Sequence, residues 1–365
     1  MVQLRLLGSV IIALCLSTQL FAQDPAFTHF HFTKNELNPA YAGYSRDINL
    51  AVNQRVQWLS QARQQPFNTL HAAINVGCEN AKLGLALYAL RNVEGAGFLA
   101  TTEAGFQVAR YWPFGYKSRG TSRKLNRSVI AVGGQAGFAQ KTLDWENLTF
   151  SDQLSNTNYR VISQSSAINP QNSTTEIRMN LAFGARMMTE LSRDHQLSYG
   201  ASVFHVFSNQ SSFFTDNNEI VWPTRYTGHF LFNNKLKKYR KLELSAGGVF
   251  NYQASLTSFT AMGYSSYNSM VKMGVGYRGT GSGLPDAIIF QTTFRGTKLG
   301  GNNEWLVSAT YEITTLNSVG QQRSGGTLEI GFSVLFDNSS ICGAGPRESC
   351  FETGKGFRKH TIWGY

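Results

Sequence analysis

Four small groups of residues carry side chains that could do chemistry, and their spacing decides how far each reading goes. His29 and His31 are two apart, so both imidazoles share one face if the stretch is extended and could hold a metal. A metal centre needs three or four ligands, and no third His, Cys or carboxylate stands at a matching spacing. His195 with Ser198 suggests a hydrolase, but a hydrolase also needs an orienting group and an oxyanion hole, and neither can be traced. The glycine-rich run Gly279 to Gly283 lacks the strand-to-helix setting of a phosphate loop and leads into Leu284-Pro285, so it is a turn. Of the four cysteines, Cys15 falls in the expected leader, and Cys342 and Cys350 are close enough to pair in an oxidising compartment, which leaves Cys78 unpaired near a strand end. No cofactor is implied, and no active site is read.

The elements around these residues point away from catalysis. Met1 to Ala22 has a charged start at Arg5, an apolar run from Leu6 to Leu16 and a cleavage site at Leu20-Phe21-Ala22, the three parts of an export signal. That run is shorter than the ~20 residues a spanning helix needs, and no later run is longer, so a membrane could be crossed only by a closed barrel. In 365 residues there are 35 Gly, 25 Phe and 15 Tyr but only 8 Pro, a balance that suits curved sheets facing lipid. The net charge of +11 is spread through strands and turns, and with the export signal it excludes nucleic acid in favour of lipid head groups or an acidic exported protein.

From Asp47 the pattern has period two. Ile48, Leu50, Val52, Val56 and Trp58 share one face, while Asn49, Asn53, Arg55 and Gln57 share the other. Segments of this kind recur to Gly326–Phe336, where Leu328, Ile330, Phe332, Val334 and Phe336 alternate with Glu329, Gly331 and Ser333. They number about fourteen, an even count as closed outer-membrane barrels require. The fold expected is all-β, a transmembrane barrel of antiparallel strands over residues 47–337. Lys82, Glu243, Lys272 and Glu312 fall opposite the apolar face, as in a polar lumen, and the breaks at 117–124 and 141–174 read as long loops. Val307 and Val334 are expected to face lipid, Ser308 and Ser333 the lumen.

The stretch QDPAFTHFHFTKNELNPAYAG at 23–43 resembles the start of mature PorP/SprF-like proteins, outer-membrane components of the type IX secretion system. Arg55, Gln57 and Trp58 resemble that family's first strand. Lys82 to Leu87, GVGYRG at Gly274–Gly279, Tyr311-Glu312-Ile313 with Leu316, and the ending Gly326–Phe336 follow in the family's order. The tail departs from the pattern, running on through Cys342 and Cys350 and the basic residues Lys355, Arg358, Lys359 and His360 to Tyr365. The resemblance implies a Gram-negative outer membrane and secretion or anchoring rather than catalysis. The partners it implies are periplasmic-ring or cell-wall-linked parts of the machine and a secreted adhesin with a C-terminal sorting domain. A general diffusion porin is the alternative.

Residues 23–46 lack helical periodicity, yet they carry Phe27, Phe30, Phe32, Tyr41 and Tyr44, which a solvated linker would not expose. Asn38-Pro39 should be extended or in a turn, and Gly43 suits a left-handed backbone. The segment is expected to plug or line the periplasmic mouth, with Asn53, Arg55 and Gln57 hydrogen-bonding the backbone near Asn38-Pro39. Phe30, Phe32, Asn38, Pro39, Tyr41, Gly43, Arg55, Gln57 and Trp58 are the docking candidates, and the tail 338–365 is expected in the periplasm.

Overall fold

The computed structural model describes residues 24–44, 48–60, 67–78, 81–114, 127–155, 173–192, 194–207, 220–236, 241–281, 285–297, 303–314 and 325–336, with 161, 163, 166, 210 and 211. The expected leader 1–22, the insert 117–124, part of the loop 141–174 and the tail 338–365 lie outside these residues.

Alternation produces long strands. The first seven are β1 Ile48–Gln57, β2 Phe67–Cys78, β3 Leu83–Glu94, β4 Leu99–Phe114, β5 Arg127–Thr142, β6 Arg178–Glu190 and β7 His195–Phe204. A two-residue pair follows, β8 Gln210–Ser211 and β9 Ile220–Val221. The rest are β10 Arg225–Lys235, β11 Leu242–Gln253, β12 Leu256–Tyr267, β13 Val271–Thr280, β14 Pro285–Thr297, β15 Glu304–Thr314 and β16 Thr327–Phe336. All but β8 and β9 form one closed barrel of 14 antiparallel strands, sealed where β1 pairs with β16 from Ile48↔Phe336 to Gln57↔Thr327. Closure removes every free sheet edge, which a barrel in hydrocarbon must do.

The two faces separate as the alternation requires. Leu85, Leu87, Phe106, Phe138, Phe230, Phe250, Phe290 and Ile330 stand exposed outside. Asn53, Arg55, Gln107, Lys272, Thr293, Ser308, Glu312, Glu329 and Ser333 are buried inside, and Glu243 is largely covered. Val307 lies on the outer face, whereas Val334, expected to face lipid, is buried; the register sets Trp305 opposite it.

Three expectations are corrected. Lys82 is no lumen residue: it is exposed, with φ +54°, in the turn before β3. Trp58 lies beyond the end of β1 with φ +53°, its ring edge-on to Phe67 at 4.3 Å. Cys78 is disulfide-bonded rather than free. Because β16 pairs with β1 and β1 with β2, closure brings the end of β2 to the rim where β16 ends, which spacing along the chain could not reveal. Cys342 and Cys350 lie outside the described residues.

A plugged lumen as the candidate functional site

Residues 24–44 run inside the barrel from one rim to the other, and none of them is exposed. The segment bends at His29, whose carbonyl accepts from the N–H groups of Phe32 (2.8 Å) and Thr33 (3.2 Å). One helical turn follows, α1 Lys34–Leu37, then a 3-10 turn Pro39–Tyr41. Asn38 between them is extended (φ −166°, ψ 124°), as a residue before proline should be, and its side chain caps the second turn by accepting from the Ala40 N–H at 2.9 Å.

The first part of the plug, 24–33, is held by charged and polar wall side chains. Glu329 accepts the backbone N–H groups of Thr28 and His29, both at 2.9 Å. Thr28 Oγ1 donates to Glu312. Arg55 donates to Glu312 at 2.5 and 2.9 Å and to Glu329 at 2.8 Å; Arg278 donates to Glu312 at 3.0 Å and to Thr28 Oγ1 at 2.6 Å. His29 joins Asn53 through Nδ1 (2.9 Å), and its Nε2 meets Ser308 (3.1 Å) and Thr310. At the segment's start the Asp24 carboxylate takes Arg225 (3.0 Å), His205 (2.8 Å) and Trp222 Nε1 (3.1 Å). Burial alone would raise the pKa of Asp24, but the adjacent His205 and Arg225 outweigh it and hold the carboxyl well below its usual range.

The second part, 34–44, is held by shape and backbone contact. Asn38 Nδ2 donates to the carbonyls of Ala185 and Ala201, both at 3.0 Å. Ser202 donates to Leu37 O (2.7 Å), Arg186 to Ala40 O (2.8 Å), and Tyr111 to Ala42 O. Glycines recess the wall beneath it. A Cβ on Gly84 would sit 2.0 Å from Ala42 O, and one on Gly133 would sit 2.5 Å from Pro39 O. Gly43 itself has φ +59°, the left-handed conformation glycine adopts at no steric cost. Lys34 lies over the Tyr44 ring at 3.9 Å.

The docking candidates thus divide. Phe30, Phe32, Asn38, Pro39, Tyr41 and Gly43 are buried in the plug, and Arg55 faces it from the wall. Gln57, the last residue of β1, and Trp58 just beyond it make no hydrogen bond to 24–44 among the described residues. The segment fills the length of the lumen rather than its mouth alone. The backbone near Asn38-Pro39 does not meet Asn53, Arg55 or Gln57; it lies against β5, β6 and β7, while Asn53 and Arg55 serve the Thr28–His29 end. The two histidines expected on one face part company at the bend: His29 turns to Ser308, His31 to Lys272 (3.2 Å). His195 and Ser198, three apart in β7, fall on opposite faces of the barrel wall.

Comparison with known proteins places this arrangement. A family model described as type IX secretion system membrane protein PorP/SprF matches residues 19–334. The chain belongs to that family. No curated protein matches it. Among solved structures it is similar to a FadL homologue of Pseudomonas aeruginosa (10% identity, 81% of this chain and 91% of that one, TM-score 0.38). It is also similar to Omp33 of Acinetobacter baumannii (7%, 80% and 99%, 0.37) and to the toluene transporter TodX of Pseudomonas putida (7%, 87% and 98%, 0.34). Likenesses this distant say nothing about cargo. The chain is an outer-membrane barrel of the type IX secretion system, a kind of protein that is not enzymatic. Short connections such as 191–194 and 268–270 mark the rim where β1 starts and β16 ends as periplasmic, and the long ones, 143–177 and 205–224, mark the other as extracellular.

Proposed function

We propose that this PorP/SprF-family barrel is a stoppered docking platform, which engages the periplasmic secretion machine and anchors a secreted adhesin at the surface. The observation that carries the reading is the lumen: 24–44 traverses it with no exposed residue, and wall and plug are matched by hydrogen bonds and recessed glycines. A lumen so filled favours docking over free diffusion of solutes. On this reading Phe30, Phe32, Asn38, Pro39, Tyr41 and Gly43, with Arg55, hold the stopper in the shape a partner meets, and Gln57 and Trp58 belong to the outer rim. A cleaved leader at 1–22 and a periplasmic tail at 338–365 complete the arrangement.

Two measurements test it. Reconstituted in liposomes, the protein should admit small sugars at a negligible rate; rapid swelling would return the porin reading to the front. In cells, replacing Asn38 and Pro39 with Ala and Tyr41 with Ser should leave a heat-modifiable barrel whose dependent secreted proteins no longer reach the surface. Normal display by a correctly folded variant would remove docking through this block.

A further inference from the structure

The two parts of the plug differ in what their departure would leave behind. Beneath 24–33, Arg55 and Arg278 are neutralised by Glu312 and Glu329, and all four belong to the wall strands β1, β13, β15 and β16. Withdrawing the segment would break its own hydrogen bonds without stranding a charge. At the start of the segment, Arg225 also faces Glu36 at 3.8 Å, so it too would keep a carboxylate nearby if Asp24 left. Glu329, meanwhile, accepts two consecutive backbone N–H groups, a contact any polypeptide can make whatever its side chains.

Specificity comes from two aromatic seats. Phe30 is buried among Tyr264, Leu231 and Ile289, and Phe32 lies against Leu306 and the glycine face of Gly331. Among the described residues the segment is continuous only with 34–44, and Asp24 at its start lies at the extracellular mouth beside Trp222 and His205.

We propose that the side of the lumen lined by β1 and β10–β16 is a receptor groove for a bent peptide bearing two aromatic residues two apart, and that residues 24–33 are its exchangeable resident. The partner is an aromatic-rich stretch of a surface-displayed polypeptide, entering from outside and taking the turn that 28–33 takes here. It displaces 24–33 while 34–44 stays locked against the glycine-recessed wall. This rests on the docking reading and specifies where the partner binds.

The test uses the full-length protein in detergent and a fluorescein-labelled peptide of sequence DPAFTHFHFT, residues 24–33. The variant Phe30→Ala/Phe32→Ala weakens the resident and empties both seats. It should bind the peptide saturably, about tenfold or more tightly than the unaltered chain does. A peptide with both phenylalanines changed to alanine should bind about 100-fold more weakly. A second arm does not depend on that variant folding. In a chain carrying Phe27→Cys, excess peptide should raise the rate of maleimide labelling at that position several-fold. Absence of saturable binding by a heat-modifiable double variant, or unchanged labelling at saturating peptide, overturns the groove. If surface display of secreted proteins still depends on the barrel while the peptide fails to bind, docking stands and the groove falls. If display is independent of the barrel while the peptide binds, the reverse holds.

Discussion

The two parts of the plug reach the same burial by opposite means. Residues 24–33 are gripped by charged side chains that already compensate one another across the wall. Residues 34–44 lie with their backbone in van der Waals contact with glycines, and their hydrogen bonds run mainly to carbonyls and amide side chains. The difference teaches that a polar grip is reversible at small cost in stranded charge, whereas a backbone seated on glycine tolerates no added atom. One part is built to be exchanged, the other to fix the chain's entry into β1.

The largest effect should come from breaking the grip at its centre. Glu312→Ala leaves the buried Arg55 and the largely covered Arg278 with Glu329 as the remaining carboxylate, and should cost ~3–5 kcal/mol. It would be read as a lowered urea midpoint for the heat-modifiable form; an unchanged midpoint would show that water already shares this network.

A control in the wall comes next. Val307→Arg, on the lipid face, should cost ~2–4 kcal/mol at the membrane midplane, and its lumen neighbour Ser308→Ala about 1 kcal/mol through lost bonds to His29 and Gln291. Equal costs would contradict the assignment of faces.

Gly84→Ala sharpens the other side of the comparison. Its Cβ would fall 2.0 Å from Ala42 O, so the plug must shift, at about 1–3 kcal/mol. The barrel should still assemble but conduct ions in planar bilayers; a silent variant would mean that the wall yields instead.

The smallest effect is in pH. The Asp24 pKa is depressed in the folded state, so its contribution is fully present above the unfolded value near ~3.9 and is lost as pH falls below it. Below about pH 4, maleimide labelling of Phe27→Cys relative to that of a fully exposed cysteine at the same pH should rise, and Asp24→Asn should raise that ratio already at neutral pH. Labelling of a cysteine replacing Ala42, in the glycine-seated part, should not follow.

Much of this was legible in the chain. Which face a strand residue takes is a property of the local pleat, so Asn53, Arg55, Lys272, Ser308 and Glu329 could be assigned to the lumen from alternation alone. An even set of strands followed from the same rule, and proline and glycine chemistry anticipated Asn38 and Gly43. Turns defeated the rule at Lys82 and Trp58, because φ, not alternation, decides direction there. What meets what inside the lumen was beyond local reading. Arg55 reaches Glu329 because closure makes the first and last strands neighbours, and Gly84 and Gly133 resemble any barrel glycine until the plug's path is known. Register and closure are set by pairings across the whole chain, so only the tertiary structure could decide that charges hold one part of the plug and missing side chains hold the other.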